Sequence, residues 1–183
     1  MVAKTGDAPA RVRKPIALEY MVATVGEIDA AVYALLERDG AARPVAGKPG
    51  SYEILDIAAA RSQTVLPKIL DAFGREGWKL IAVNRAECWI FERPKSKRGR
   101  RHWQYLVASP ADIDAVALRT LEEEGALRRG EDGDNAVEIT DMDKARIQVM
   151  LPRILDSMAA EGWAVTAING PQLHFFVREA QAQ

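Results

Sequence analysis

The sequence predicts an α+β protein made of two tandem β-α-β-α-β-β repeats, each a mainly antiparallel sheet with helices on one face, arranged as a pseudo-dimer. Three observations predict it. The chain matches itself when 16–94 are laid on 101–179, and the alignment runs without a gap. That alignment holds 29 identities in 79 positions, about 37% against the roughly 6% that ordinary residue usage gives by chance. In both copies apolar residues also switch from a period of two to helical spacing, with glycines where the helical stretches stop.

Each copy opens on an alternating run, Leu18, Tyr20 and Val22 in the first and Trp103, Tyr105 and Val107 in the second. Aromatic and β-branched residues with that period predict a half-buried strand. Thr24 with Glu27 then forms a capping box, and Ser109-Pro110 gives an N-cap with proline at the first helical position. Ile28, Ala31, Val32 and Leu35, matched by Ile113, Val116, Ala117 and Leu121, predict an amphipathic helix that Gly40 or Gly125 ends. After a turn-rich loop, Tyr52–Ile57 and Val137–Met142 read as a second strand.

The second helix carries Leu66, Ile69, Leu70 and Phe73, or Leu151, Ile154, Leu155 and Met158, with its proline expected in the first turn. Gly77 and Gly162 end it. A strand over Trp78–Val83 or Trp163–Ile168 turns back as Cys88–Glu92 or Leu173–Val177, and Asn169-Gly170 supplies a hairpin signal. The organisation is thus a basic arm (1–15), a first repeat (16–94), a connector (95–100) and a second repeat (101–183).

Glu19-Tyr20, Glu76-Gly77-Trp78-Lys79-Leu80 and Arg93-Pro94, echoed by Gln104-Tyr105, Glu161-Gly162-Trp163 and Arg178, resemble a small uncharacterised prokaryotic domain family. The resemblance implies a short β-α-β-β unit, to which the segment between 24 and 62 adds a helix and a strand. It implies no chemistry. Glycine and tryptophan in the repeated Glu-Gly-Trp read as a helix cap and an anchor of helix to sheet.

With 48% hydrophobic and 28% charged residues the chain has a globular composition. Its lone Cys88 leaves no intramolecular disulfide and no cysteine-rich zinc site. No apolar run approaches the ~20 residues of a membrane span. The arm carries no apolar signal core, so the expected location is the cytoplasm. Polar residues recur as Glu53, Asp56, Arg61 and Gln63 with Glu138, Asp141, Arg146 and Gln148; they read as ordering the strand-to-helix connection. The acidic loop Glu131-Asp132-Gly133-Asp134-Asn135 lacks calcium-loop spacing. His102 and His174 lie in different strands, far apart along the chain, and predict neither a metal nor an acid–base pair. No cofactor, metal or catalytic set is expected.

Charge is uneven beneath a net charge of -1: +3 over 1–15, -3 over 16–92, +5 over 93–100 and -6 over 101–183. Arg11, Arg13 and Lys14 in the arm, and Lys95, Lys97, Arg98 and Arg100 in the connector with Arg101 beside it, are the candidate partner-binding residues. The expected function is a non-catalytic adaptor or subunit of a larger assembly with a protein partner. A nucleic-acid binder using the connector is the alternative, and a small enzyme or small-molecule sensor with a site between the repeats is the third reading.

Overall fold

The computed structural model describes residues 16–84, 88–129, 137–169 and 173–180. The first half runs β1 (Leu18–Thr24), α1 (Val25–Arg38), β2 (Ala42–Pro44), β3 (Tyr52–Ile54), α2 (Ser62–Arg75), β4 (Lys79–Asn84) and β5 (Cys88–Pro94). A single 3-10 turn, Lys97–Gly99, leads to the second half. That half runs β6 (Trp103–Ala108), α3 (Pro110–Glu123), β7 (Leu127–Arg129), β8 (Val137–Ile139), the short α4 (Met142–Ala145), α5 (Ile147–Ala160), β9 (Ala164–Asn169) and β10 (Leu173–Glu179). The protein is a mixed α+β structure with several small antiparallel sheets.

Local chemistry sets the helix ends. Thr24 and Glu27 form the expected capping box, and Ser109 forms one with Asp112 behind Pro110. Past the helix ends Gly40 and Gly125 take φ of 72° and 67°, a left-handed backbone that side chains other than glycine resist. The prolines differ from expectation. Because α2 starts at Ser62 and α5 at Ile147, Pro67 and Pro152 stand sixth in their helices rather than in the first turn. The carbonyls four residues back receive no N–H from them. The turn-rich loop likewise holds a strand the periodicity does not reveal: Ala42–Pro44 pairs with Tyr52–Ile54, and Leu127–Arg129 with Val137–Ile139. Three residues are too few to show alternation. The acidic loop 131–135 and Gly170 lie outside the described residues.

Two three-stranded antiparallel sheets form, ordered β1-β5-β4 and β6-β10-β9. Each has a register shift at a corresponding place, between Leu80 and Ala82 against β5, and between Phe175 and Phe176 against β9. The extra residues are Ile81 and Thr166, which align with each other when one half is laid on the other.

Helix placement adds a contact that the sequence reading does not contain. While Phe73 of α2 meets Phe91 of its own sheet at 5.1 Å between ring centroids, α2 also runs along β6 of the other half. Tyr105 N–H donates to Asp71 Oδ1 at 2.8 Å, across from the open edge of β6. A Cβ placed on Gly74 would stand 2.1 Å from the Trp103 carbonyl oxygen, so only glycine allows this approach. Tyr105 Oη accepts from Leu80 N–H at 2.7 Å and donates to the Trp78 carbonyl at 3.0 Å. The edges β4 and β9 meet, and Thr166 Oγ1 donates to the Leu80 carbonyl.

These contacts knit one main core from both halves. It contains Leu66, Leu70, Trp78, Leu80, Trp89 and Phe91 together with Tyr105, Val107, Phe175 and Val177. Trp89 meets Phe175 edge-on at 5.2 Å between ring centroids, a favoured aromatic geometry. A smaller cluster of Leu121, Ala126, Leu127, Met150 and Ile154 sits under α3 and α5.

The matched strands fare differently. Tyr105 and Val107 are 5% and 2% exposed, whereas Tyr20 and Val22 are 61% and 59% exposed. β1 is the half-buried strand that the alternation predicts, but Leu18, Tyr20 and Val22 form its exposed side. Burial on β1 falls to Met21 and Ala23 on the opposite side, and no helix among the described residues lies along β1 as α2 lies along β6. No helix among the described residues is long and apolar enough to cross a membrane.

Candidate functional site

Where the connector passes the end of α2, an open cleft of about 390 Å³ is lined by Arg75, Glu76, Arg93, Lys97, Arg100 and His102. Four arginine or lysine side chains and one histidine meet there with a single carboxylate. The helix end delivers Arg75 and Glu76, β5 delivers Arg93, and the 3-10 turn swings Lys97 and Arg100 over the opening.

Two of the cations are structural. Arg93 lies over the Trp78 ring at 3.9 Å from its centroid, a cation–π stack. Its Nε donates to Glu19 Oε1 at 2.5 Å and its Nη1 to the Glu76 carbonyl at 3.1 Å. Arg100 Nη2 donates to the same Glu19 oxygen at 2.9 Å. The Arg93 hydrogen bond, helped by both guanidinium charges, holds the Glu19 carboxyl below its ordinary value of 4.5. Gly77, at φ of 87°, faces the Arg100 side chain, with a Cβ there meeting Arg100 Cβ at 3.1 Å.

Glu19, Trp78 and Arg93, far apart in sequence, are thus one cluster. The second half holds a relative of it: Arg178 lies over the Trp163 ring at 4.2 Å, and its Nε donates to Gln104 at 3.0 Å. There the carboxylate is replaced by an amide. Burial raises the Asp71 pKa, opposed by the Tyr105 N–H hydrogen bond, and it raises that of the Tyr105 hydroxyl.

The candidate partner-binding residues divide. Lys95, Lys97 and Arg98 are exposed. Arg100 is part-buried in the Glu19 pair, and Arg101 pairs with Glu179 at 2.7 Å. Arg11, Arg13 and Lys14 lie outside the described residues. Sequence reasoning missed Arg75, Glu76 and His102 as neighbours of the connector, and the charge sums hid them because they belong to segments of net negative charge.

Elsewhere the recurrent polar residues do local work. Asp56 accepts from the Ala58 and Ala59 N–H groups, and Asp141 from those of Asp143 and Lys144, turning the chain toward the next helix. Glu53 pairs with Arg43 across the short hairpin. His102 and His174 stand near opposite ends of one sheet, since His102 faces Ala180 and His174 pairs with Ala108. Six strand positions separate those levels, about 20 Å. No group of three His, Cys, Asp or Glu among the described residues could hold a metal ion. The cleft presents positive charge and hydrogen-bond donors, a chemistry suited to binding an anion.

No family model, curated protein or solved structure matches this chain.

Proposed function

We propose that this is a non-catalytic binding protein, a subunit or adaptor that docks an acidic protein segment at the connector cleft. One observation carries the reading: Arg75, Lys97 and His102 converge on a cleft whose Arg93 and Arg100 are already fixed by Glu19. Pre-organised guanidinium groups lose little freedom on taking a carboxylate, and Lys95 and Arg98 extend the positive field beside them. An acidic peptide is favoured over a nucleic acid because single strands call for aromatic platforms. The aromatics nearest the connector are occupied, Trp103 by Lys79 and Trp78 by Arg93.

We also propose that the chain arose by tandem duplication. The equal strand orders, the register shifts at aligned positions and the paired Arg–Trp stacks support this.

The docking proposal is tested with a polyglutamate peptide and a single-stranded oligonucleotide of equal charge, titrated against the full chain at low and moderate salt. Lys95→Glu/Lys97→Glu/Arg98→Glu should weaken polyglutamate binding at least tenfold and flatten its salt dependence, because exposed charges act through a screened field. Arg100 is left intact to preserve the fold. Equal binding by wild type and variant would overturn the assignment, and a marked preference for the oligonucleotide would transfer the cleft to phosphate recognition.

A further inference from the structure

The α2–β6 contact has an unmade counterpart. Under the alignment of the two halves, Tyr105, Val107, Leu66, Leu70 and Asp71 become Tyr20, Val22, Leu151, Leu155 and Asp156, identical at all five. In the first set every side chain is buried or part-buried. In the second Tyr20, Val22 and Asp156 are exposed, and Leu151 and Leu155 are less buried than their counterparts. Leu80, fully buried beside the Tyr105 hydroxyl, corresponds to Val165, which is 40% exposed. β1 is the outer strand of its sheet, and α5 packs on α3, α4 and β9 instead. A strand edge flanked by exposed Leu18, Tyr20 and Val22 is a surface that proteins ordinarily cover.

We infer that α5 of a second copy of this chain lies along β1, and that two copies do so reciprocally. The inference rests on the duplication, not on the acidic partner. The occupant follows from the chain itself: one half already builds this helix-on-strand contact, and the other half carries the matching helix and strand with their residues exposed or only part-buried. The β4–β9 contact is already made inside each chain, so among the described residues only α5 and β1 lack a partner of this kind, and two copies satisfy both unmade contacts reciprocally. Tyr20 Oη then takes the place of Tyr105 Oη, bridging the Trp163 carbonyl and the Val165 N–H of the other copy. Asp156 accepts from the Tyr20 N–H. Ala159 stands where α2 has Gly74, so α5 rides slightly farther from its strand than α2 does. The basic cleft is not repeated, because Arg75 and His102 correspond to Ala160 and Ala17.

Those two alanines are exposed and provide the test. In a Cys88→Ala background, Ala17→Cys and Ala160→Cys are made in separate chains, mixed, and treated with a short bismaleimide. The inferred dimer gives an Ala17→Cys–Ala160→Cys crosslink between chains, in a sample whose mass by light scattering is twice that of one chain. Tyr20→Asp should return the mass to that of a monomer without lowering the melting temperature of the isolated chain, while Lys97→Glu/Arg98→Glu leaves the dimer intact. A monomer at every concentration overturns the inference. So does crosslinking of Ala17→Cys only to itself, which marks edge-to-edge pairing of two β1 strands, or crosslinking within one chain carrying both cysteines. The control is Arg75→Cys/His102→Cys in one chain, which reports the α2–β6 contact. Failure of the control strikes the equivalence of the halves, whereas success of the control beside a monomeric protein strikes the second copy alone.

Discussion

Two halves with one strand order end in different circumstances. In the first, α2 packs on α1 and its own sheet and also lies along β6 of the other half, and Leu70 and Leu80 are sealed completely. In the second, α5 stays with α3, α4 and β9, while its partner surface β1 faces solvent. The difference teaches that a helix's apolar stripe fixes that it will be covered, not by what. The short connector leads the chain from β5 straight into β6, which lies beside α2.

The largest effect that probes this asymmetry is at the two tryptophans. Trp78 is buried in the shared core and Trp163 only part-buried. Trp78→Ala should cost about 3–5 kcal/mol, the usual loss on emptying an aromatic core site, and Trp163→Ala distinctly less, both read from denaturant unfolding at low protein concentration. Equal losses would break the comparison.

Gly74 comes next. Gly74→Ala drives a methyl into the Trp103 carbonyl, which should cost about 1–3 kcal/mol as overpacking against backbone. Ala159→Gly on the counterpart helix should leave monomer stability within the ~1 kcal/mol of helix propensity and tighten association of the chains.

A similar range is expected when the bridging hydroxyl is removed. Tyr105→Phe strands the Leu80 N–H and the Trp78 carbonyl, a loss of about 1–3 kcal/mol for buried groups left unpaired. Tyr20→Phe should not change the monomer measurably. A fall in melting temperature for both would place Tyr20 in an equivalent buried bridge.

How far the sequence disclosed this is itself uneven. The capping boxes at Thr24 and Ser109, and the glycines beyond α1 and α3, were legible because a few neighbouring residues decide them. So were the strands of the two sheets. The contact of α2 with β6 was not, since α2 and α5 carry the same stripe and the contact joins residues remote in the chain, Asp71 and Tyr105. Nor was the cleft. Arg93 and Arg100 read as members of a cationic run until Glu19, at the far end of the first half, is brought against them.

The smallest expected effect is electrostatic and compares Glu19 with Gln104. Because the folded-state pKa of Glu19 is lowered, its ion pair adds stability above the ordinary carboxylate value, and that stability is lost as pH falls through the folded value. Glu19→Gln, which copies the second half, should therefore melt below wild type at pH 7 and converge with it on acidification below 4.5. Asp71 has the opposite sign. Its raised pKa makes the fold bind a proton more readily than the unfolded chain, so its contribution weakens stability as pH rises through the window above 3.8. A Glu19→Gln deficit independent of pH would show that shape, not charge, holds Arg93.

The most direct measurement of the asymmetry is residue-resolved hydrogen exchange at a concentration low enough to keep the chains apart. The N–H groups of Tyr105 and Leu80, which donate to Asp71 and to the Tyr105 hydroxyl, should exchange only through global unfolding. Those of Tyr20 and Val165 should exchange orders of magnitude faster, and slow as concentration rises. Equal, concentration-independent protection at all four would mean that α5 closes on β1 within a single chain, and the two halves would be equivalent after all.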